Sequence, residues 1–117
     1  MRANNKLTYK LLLLLEIRLK ETDNWQIPHP EADAFTSQEP FCVDTMSCQQ
    51  WLKHVFIPRM QALLDAEAPL PQACALTPQV EIQLPSQDQA LITEVTQALD
   101  DWLTEGRVPP AQLLRQV

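Results

Sequence analysis

The segment that decides the fold is residues 86–105, SQDQALITEVTQALDDWLTE. Its apolar side chains recur every three or four residues, which places them on one face of a helix: Leu91, Ile92, Val95, Ala98, Leu99, Trp102 and Leu103. Polar residues, including Asp100 and Asp101, take the other face and indicate a solvated surface. Ser86 suits an N-cap, and Gly106 ends the pattern. This segment predicts a long amphipathic helix.

Two further helices are expected earlier in the chain. Residues 6–22 carry leucines at helical spacing, and Ser47 with Gln50 forms a capping-box pattern at the start of a second helix. Pro58 lies inside that second helix and has no N–H to donate, which predicts a kink at Pro58. With a short turn expected at residues 72–76, the pattern predicts an all-α, single-domain bundle of about four helices over residues 1–117.

A long proline-containing loop is expected between the first and second helices, over residues 23–46. Loops of this length are uncommon in compact domains unless their own side chains anchor them or they serve a function. Four apolar residues are available as anchors: Trp25, Ile27, Phe35 and Phe41. We therefore expect this loop to pack onto the bundle or to form a binding surface.

The composition of the 117 residues excludes several protein classes. A single glycine, Gly106, disfavours strand-rich folds with tight turns and rules out glycine-rich phosphate loops. The formal net charge of −6 opposes nonspecific binding to a polyanion. The apolar run at residues 11–15 is too short for a signal peptide or a membrane span. We expect a cytoplasmic protein without membrane association.

The three cysteines, Cys42, Cys48 and Cys74, are odd in number and form no CxxC pair, which indicates reduced thiols. Cys42, Cys48 and His54 do not have the spacing of a common zinc site. Nothing in the sequence places His29 or His54 beside a thiol as a catalytic base. We therefore expect no catalytic residues, no cofactor and no metal, and a protein that is not an enzyme.

Arg59 is the most informative charged residue. If the second helix continued through Pro58, Arg59 would project between Val55 and Leu63, near the middle of the apolar face. A buried guanidinium requires a partner, and Asp44, just ahead of the helix, is the candidate. We predict a buried or half-buried ion pair between Asp44 and Arg59. An anion-binding arginine, and a kink that returns Arg59 to solvent, are the alternatives.

A candidate partner surface begins with Leu13 and Ile17, which lie opposite the main apolar face of the first helix and are bordered by lysines. An apolar pair with a charged rim is typical of a contact site, unless the long loop covers it. Trp25, Pro40 and Phe41, all in that loop, are further candidates for contact with a partner.

One region resembles a known family. It contains, in order, Gln38-Glu39-Pro40-Phe41, Asp44-Thr45-Met46, Gln50-Trp51-Leu52, Phe56-Ile57-Pro58-Arg59-Met60, Leu63-Leu64 and Pro69-Leu70-Pro71. This series is similar to the signature of the YqcC-like family. The resemblance implies a bacterial bundle of about four helices with no assigned activity, often encoded beside a tRNA pseudouridine synthase of the C type. It carries over no catalytic residues, and Cys74 departs from the small or aromatic residues expected there.

The functional hypothesis is a non-enzymatic accessory protein that binds a protein partner through residues 40–60 and the loop before them. The resemblance suggests an adaptor for a tRNA pseudouridine synthase, in contact with tRNA only indirectly. The alternative is a direct RNA-binding module, since residues 1–20 hold five cationic side chains against Glu16, a net charge of +4. A second copy of the chain is a further candidate partner.

Overall fold

The computed structural model describes residues 3–84 and 86–117, which form helices and turns and contain no strand. The predicted all-α fold is confirmed. A π-helical turn, Leu52–Phe56, joins the second and third helices, and two 3-10 turns lie in the loop after the first helix, at Ala32–Thr36 and Pro40–Cys42. The α-helices are α1 (Ala3–Glu21), α2 (Cys48–Trp51), α3 (Ile57–Asp65), α4 (Thr77–Gln83), α5 (Ser86–Glu105) and α6 (Ala111–Leu114).

The core forms mainly where α1 packs against α5. Both helices are apolar along one face, and burying each large aliphatic side chain contributes roughly 1.5–3 kcal/mol. Leu91, predicted on the apolar face of α5, is instead 46% exposed. The buried apolar residues of α1 and α5 are Leu11, Leu12, Leu14, Leu15, Leu19, Ile92, Val95, Ala98 and Leu99.

None of the helices in the described part of the chain is long and apolar enough to cross a membrane.

The C-terminal end of α1 fixes the direction of the long loop. Asp23 adopts a left-handed conformation with φ of 60°, and the N–H of Asn24 donates to the carbonyl of Leu19 at 2.8 Å. This six-to-one hydrogen bond is the Schellman arrangement, which satisfies a free carbonyl and reverses the chain. Asn24 is buried, and its side-chain amide donates to Thr22. The loop therefore leaves α1 along a fixed path.

Pro58 is accommodated by the π-helical turn that precedes it. The N–H of Ile57 donates to the carbonyl of Leu52, five residues back rather than four. Such a turn inserts one extra residue into the helical register, so every later side chain is displaced by about one position, or ~100° around the axis. The second helix of the sequence prediction is thus α2 and α3 separated by a π-helical turn.

Arg18 is a buried arginine, with 5% exposure. Its guanidinium donates to the carbonyl of Leu91 at 2.8 Å, to Glu94 Oε1 at 2.7 Å and to Gln116 Oε1 at 2.6 Å. One side chain therefore ties α1 to α5 and to the C-terminal segment. Several hydrogen bonds of this kind are what a buried guanidinium requires.

Asp100 is buried, so its assignment to the solvated face of α5 was wrong. Its carboxylate accepts hydrogen bonds from the N–H groups of Leu76 at 2.8 Å and Thr77 at 3.0 Å, and from the thiol of Cys74 at 3.2 Å. These are free donors at the start of α4, where a negative charge is favourable. The helix therefore begins at Thr77, and the turn expected at residues 72–76 does not form.

Candidate partner-binding cleft

Three aromatic side chains form a ladder where the long loop meets the π-helical turn. The ring centroids of Phe41 and Trp51 are 4.8 Å apart with an interplanar angle of 72°, and those of Trp51 and Phe56 are 5.5 Å apart with an angle of 26°. Both geometries are favourable for aromatic pairs. The ladder connects the loop to the core, since Phe56 is buried while Phe41 and Trp51 are half-buried.

The position of Trp51 follows from the predicted capping box, which is present. The Ser47 hydroxyl accepts from the N–H of Gln50 at 3.1 Å, and Gln50 Oε1 accepts from the N–H of Ser47 at 2.9 Å. The amide of Gln50 also donates to the carbonyl of Pro28 at 3.0 Å. The capping box therefore fixes the first turn of α2 and attaches the loop to it.

The backbone at Phe41 is strained. Phe41 has φ of 60° and ψ of 16°, and Cys42 has φ of 48°. Two consecutive residues with side chains in the left-handed region are costly, on the order of 1–3 kcal/mol each, and such strain concentrates at binding sites. Hydrogen bonds from the N–H groups of Thr45 and Met46 to the carbonyl of Cys42, both 3.0 Å, hold the segment in place.

A second, smaller core lies beneath this strained segment. Ala34, Cys42, Met46 and Val55 are buried together, with Trp51 packed against them. The Thr45 hydroxyl also donates to the carbonyl of Ala34 at 2.7 Å. These contacts anchor the loop through apolar residues that were not among the predicted anchors. Phe35, which was a predicted anchor, is 38% exposed.

Two cavities have residues of the aromatic ladder in their walls, and we call them together the aromatic cleft. The larger has a volume of about 640 Å³ and the smaller about 270 Å³. Both are lined by Phe41, Trp51 and Arg59. The larger is also lined by Phe35, Ser37, Glu39, Pro40, Cys42, His54, Val55 and Pro58. The smaller is also lined by Phe56, Met60, Pro71, Ala73, Cys74, Ala75, Leu76 and Leu103.

The predicted buried ion pair between Asp44 and Arg59 is wrong. Both side chains are exposed, and Asp44 accepts a hydrogen bond from the hydroxyl of Ser37 at 2.5 Å. Within residues 5–84 and 86–117, Arg59 has neither a hydrogen-bond nor an ion-pair partner for its guanidinium. The cause is the π-helical turn, because the extra residue rotates Arg59 away from the apolar face on which an uninterrupted helix would place it.

His54 lines the larger cavity and contacts His29, with ring centroids 4.5 Å apart. Its Nε2 atom is buried and has no hydrogen-bond partner in the described part of the chain. Burial lowers the pKa of His54 below its ordinary value of 6.5, and the charges of His29 and Lys53 lower it further. His54 is therefore neutral at neutral pH.

Trp25 packs against the core from the beginning of the loop. The amino groups of Lys53 and Lys20 lie 4.7 Å and 5.3 Å from the centroid of the Trp25 ring. Both distances are in the range of cation–π contacts. The Lys53 amino group also donates a hydrogen bond to the Trp25 carbonyl at 2.7 Å. Trp25 is thus an anchor of the loop, and it does not line the aromatic cleft.

The structure brings Pro40, Phe41 and Arg59 together in the cleft, but it leaves Leu13 and Ile17 outside it. Leu13 is half-buried and Ile17 is 37% exposed, so the loop does not cover this side of α1 completely. Tyr9, one turn before Leu13, is 42% exposed. Tyr9, Leu13 and Ile17 recur every four residues and so form one stripe along α1.

Metal binding and thiol reactivity depend on how the His, Cys, Asp and Glu side chains are grouped and buried. Among the described residues, no group of three or more His, Cys, Asp or Glu side chains could hold a metal ion. Burial raises the pKa of the Cys48 thiol to about 12, and it also raises the pKa of Cys74, aided by the hydrogen bond to Asp100. Both thiols are therefore protonated and weakly nucleophilic at neutral pH.

A family model described as DUF446, tRNA pseudouridine synthase C, matches residues 7–102. The chain belongs to the DUF446 family. The predicted resemblance to YqcC is confirmed, because the chain is 41% identical over 91 residues to the uncharacterized protein YqcC of Escherichia coli, covering 76% of this chain and 84% of YqcC. The solution NMR structure of YqcC superposes with a TM-score of 0.75 at 35% identity and covers 92% of both chains.

Two further relatives align over shorter segments. An uncharacterized protein of Haemophilus influenzae is 49% identical over 67 residues, which are 57% of this chain and 63% of that protein. A protein of Pectobacterium carotovorum named tRNA pseudouridine synthase C is 51% identical over 59 residues, which are 50% of this chain and 16% of that protein. The chain thus spans under two thirds of the length of these two relatives.

The cleft also contains part of the motif series on which the resemblance to the YqcC-like family rests. Glu39-Pro40-Phe41, Trp51 and Pro58-Arg59 all line the larger cavity. By contrast, the sequence did not reveal the roles of Arg18 and Asp100. A signal existed for Arg18, since it follows Leu11 by seven residues and Leu14 by four and so shares their buried face.

Proposed function

We propose that this protein is a non-enzymatic accessory protein that binds a tRNA pseudouridine synthase. The observation that carries the proposal is the Pectobacterium relative, in which the similar segment makes up 16% of a longer protein named tRNA pseudouridine synthase C. When two units are joined in one chain, the covalent link gives them a high effective concentration, which favours a contact between them. A separate chain of the same family would perform the same contact without the covalent link.

The aromatic cleft supports a binding role. Trp and Arg are the residue types that contribute most to protein–protein binding energy, and Trp51 and Arg59 line both of its cavities. Pro40 and Phe41 lie beside them on a segment that is held in a strained conformation. A rigid site loses little conformational entropy when a partner binds.

The charges of α1 favour a protein partner over direct RNA binding. The guanidinium of Arg18 is buried against Glu94, and the amino group of Lys20 contacts Glu16 at 2.9 Å. Arg18 is thus withdrawn from the surface of the first helix, whereas Lys20 pairs with Glu16 at the surface, a charge already subtracted in the net +4. With a net charge of −6 as well, the counterion release that drives RNA binding is small. Contact with tRNA then passes through the synthase.

A second contact belongs to the proposal, formed by Leu13 and Ile17 on the exposed stripe of α1. Their partial exposure supports it, since exposed apolar stripes bordered by charge are typical of interfaces. A second copy of the chain is the competing occupant of this stripe.

The test is isothermal titration of the protein with a purified type C tRNA pseudouridine synthase, beside a gel-shift assay of the protein with tRNA alone. We expect binding to the synthase and no salt-dependent tRNA shift. The double variant Leu13→Ser, Ile17→Ser should weaken synthase binding, whereas Ile82→Ser with Val108→Ser, two apolar residues exposed elsewhere, should not. A tRNA shift without synthase binding would establish the RNA-binding alternative, and light scattering would reveal a self-associated form.

A further inference from the structure

The smaller cavity of the aromatic cleft combines an apolar wall with a single charge. Its volume of about 270 Å³ is enough for one or two apolar side chains. Among its lining residues Arg59 alone carries a full charge, and the walls are formed by aromatic, aliphatic and small residues such as Phe56, Met60 and Ala75. A ligand that fills this cavity must therefore be apolar, with one negative group where it meets Arg59.

Arg59 is available for such a group. It is exposed, and in the described chain no hydrogen bond or ion pair occupies its guanidinium. A planar guanidinium binds a carboxylate through two parallel N–H···O hydrogen bonds, which gives both affinity and orientation. The aromatic ladder beside it, in which the Phe41 and Trp51 rings are set edge to face with centroids 4.8 Å apart, offers an apolar surface for a neighbouring side chain.

The charge of the larger cavity limits how much negative charge the ligand can carry. Glu39 lines that cavity, and Asp44 lies next to it through its hydrogen bond to Ser37. These carboxylates repel a phosphate chain or any other polyanion. The cleft is therefore complementary to one carboxylate flanked by apolar groups.

We propose that the aromatic cleft binds an extended segment of the partner protein in which one acidic side chain, held by Arg59, is flanked by apolar side chains that enter the smaller cavity and cover the Phe41–Trp51 pair. The inference rests on the proposed function for the identity of the partner, but the cleft's preference for this peptide chemistry is measurable without the synthase.

The probe is a blocked heptapeptide with one glutamate between a leucine and a phenylalanine, and its twin carries glutamine instead. Binding is followed through the NMR signals of the Trp51 indole N–H and the Arg59 Nε–H. We expect saturable shifts with the glutamate peptide and an affinity at least about tenfold lower for glutamine, because a charge-assisted hydrogen bond is lost. Arg59→Gln should lower the affinity for the glutamate peptide by a similar factor.

Two variants separate the charge from the cavity. Ala73→Trp adds bulk at an exposed position on the wall of the smaller cavity and should abolish binding while Arg59 remains. Arg115→Gln, which removes an exposed arginine near the C-terminus, is the matched control and should bind like the parent. A failure of both peptides to bind, equal affinity for the two peptides, or unchanged binding by Arg59→Gln would overturn the inference. Tighter binding of a peptide whose only acid is its free C-terminal carboxylate would overturn the assignment to an acidic side chain.

The same variants applied to the intact synthase distinguish this inference from the proposed function. If the parent and Arg59→Gln bind the synthase equally well, the accessory role stands and the cleft inference fails. If the glutamate peptide binds as expected while the synthase does not bind the parent, the cleft inference stands and the choice of partner fails.

Discussion

Replacing Asp100 with alanine should destabilise the protein far more than replacing its neighbour Asp101. The Asp100→Ala change removes the acceptor for the N–H groups of Leu76 and Thr77, both in buried surroundings, and for the thiol of Cys74. A buried N–H left unpaired costs roughly 1–3 kcal/mol. Two such groups near the low end of that range give an expected loss of about 3 kcal/mol in the free energy of unfolding.

Urea unfolding followed by circular dichroism measures this loss. With an m-value of about 1.5 kcal/mol per molar urea, a loss of ~3 kcal/mol lowers the unfolding midpoint by about 2 M. Asp101→Ala is the matched control. Among the described residues, the Asp101 side chain contacts only the exposed Arg107 at 3.4 Å and Gln97 at 2.9 Å, contacts worth at most about 1 kcal/mol. Equal midpoints for the two variants would refute the capping role of Asp100.

Three further outcomes follow from the structure. Arg59→Met should leave the free energy of unfolding within about 0.5 kcal/mol of the parent, since the Arg59 guanidinium has no partner in the described chain. A loss of ~3 kcal/mol in urea unfolding would instead show that the ion pair with Asp44 exists. Since the pKa of His54 is lower in the folded protein than its ordinary 6.5, the free energy of unfolding should decrease as the pH falls from about 7 to about 5.5. Urea titrations at the two pH values measure this decrease, and it should be smaller in the His54→Gln variant. An equal decrease in the variant and the parent would contradict the role of His54. Because burial raises the pKa of Cys48 to about 12, its thiol should react with a disulfide reagent many times more slowly in the native protein than in urea. Mass spectrometry of the labelled residue measures the two rates, and equal rates would refute the burial of Cys48.

Features set by neighbours in the sequence could be predicted, while features set by distant residues could not. The capping box at Ser47 and Gln50 depends on residues three apart and is present as expected. The helical stripes of α1 and α5 likewise follow from local spacing. In contrast, the partners of Arg18 are 73 to 98 residues away, and no local pattern identifies them.

Arg59 shows why helical periodicity, although valid for a continuous helix, can place a residue on the wrong face. Extrapolation at 100° per residue places Arg59 on the apolar face of a continuous helix, and it predicted the buried ion pair with Asp44. Pro58 signals a disturbance, but the sequence does not say whether the chain kinks or forms a π-helical turn. The Leu52–Phe56 turn shifts the register by one residue, and this moves Arg59 from the core to the cleft.

The prediction that Asp100 lies on the solvated face of α5 was wrong for a related reason. The same helical projection that correctly placed Ile92, Val95 and Leu99 in the core assigned Asp100 to water. The start of α4 lies against that side of α5 and supplies two N–H donors, so the position is buried although the residue is charged. Which side of α5 receives a neighbour depends on the path of the chain after α3, and local pattern does not encode that path.

The hydrogen bonds of Arg18 have a consequence for synthesis on the ribosome. The chain emerges from its N-terminus, and α1 is therefore made long before its partners on α5 and at Gln116. Until those residues have left the exit tunnel, the leucine face of α1 has no cover and Arg18 has no acceptor. Completion of the core therefore waits until α5 and Gln116 have been synthesised and released from the tunnel, and the nascent leucine face is a natural substrate for chaperones in the meantime.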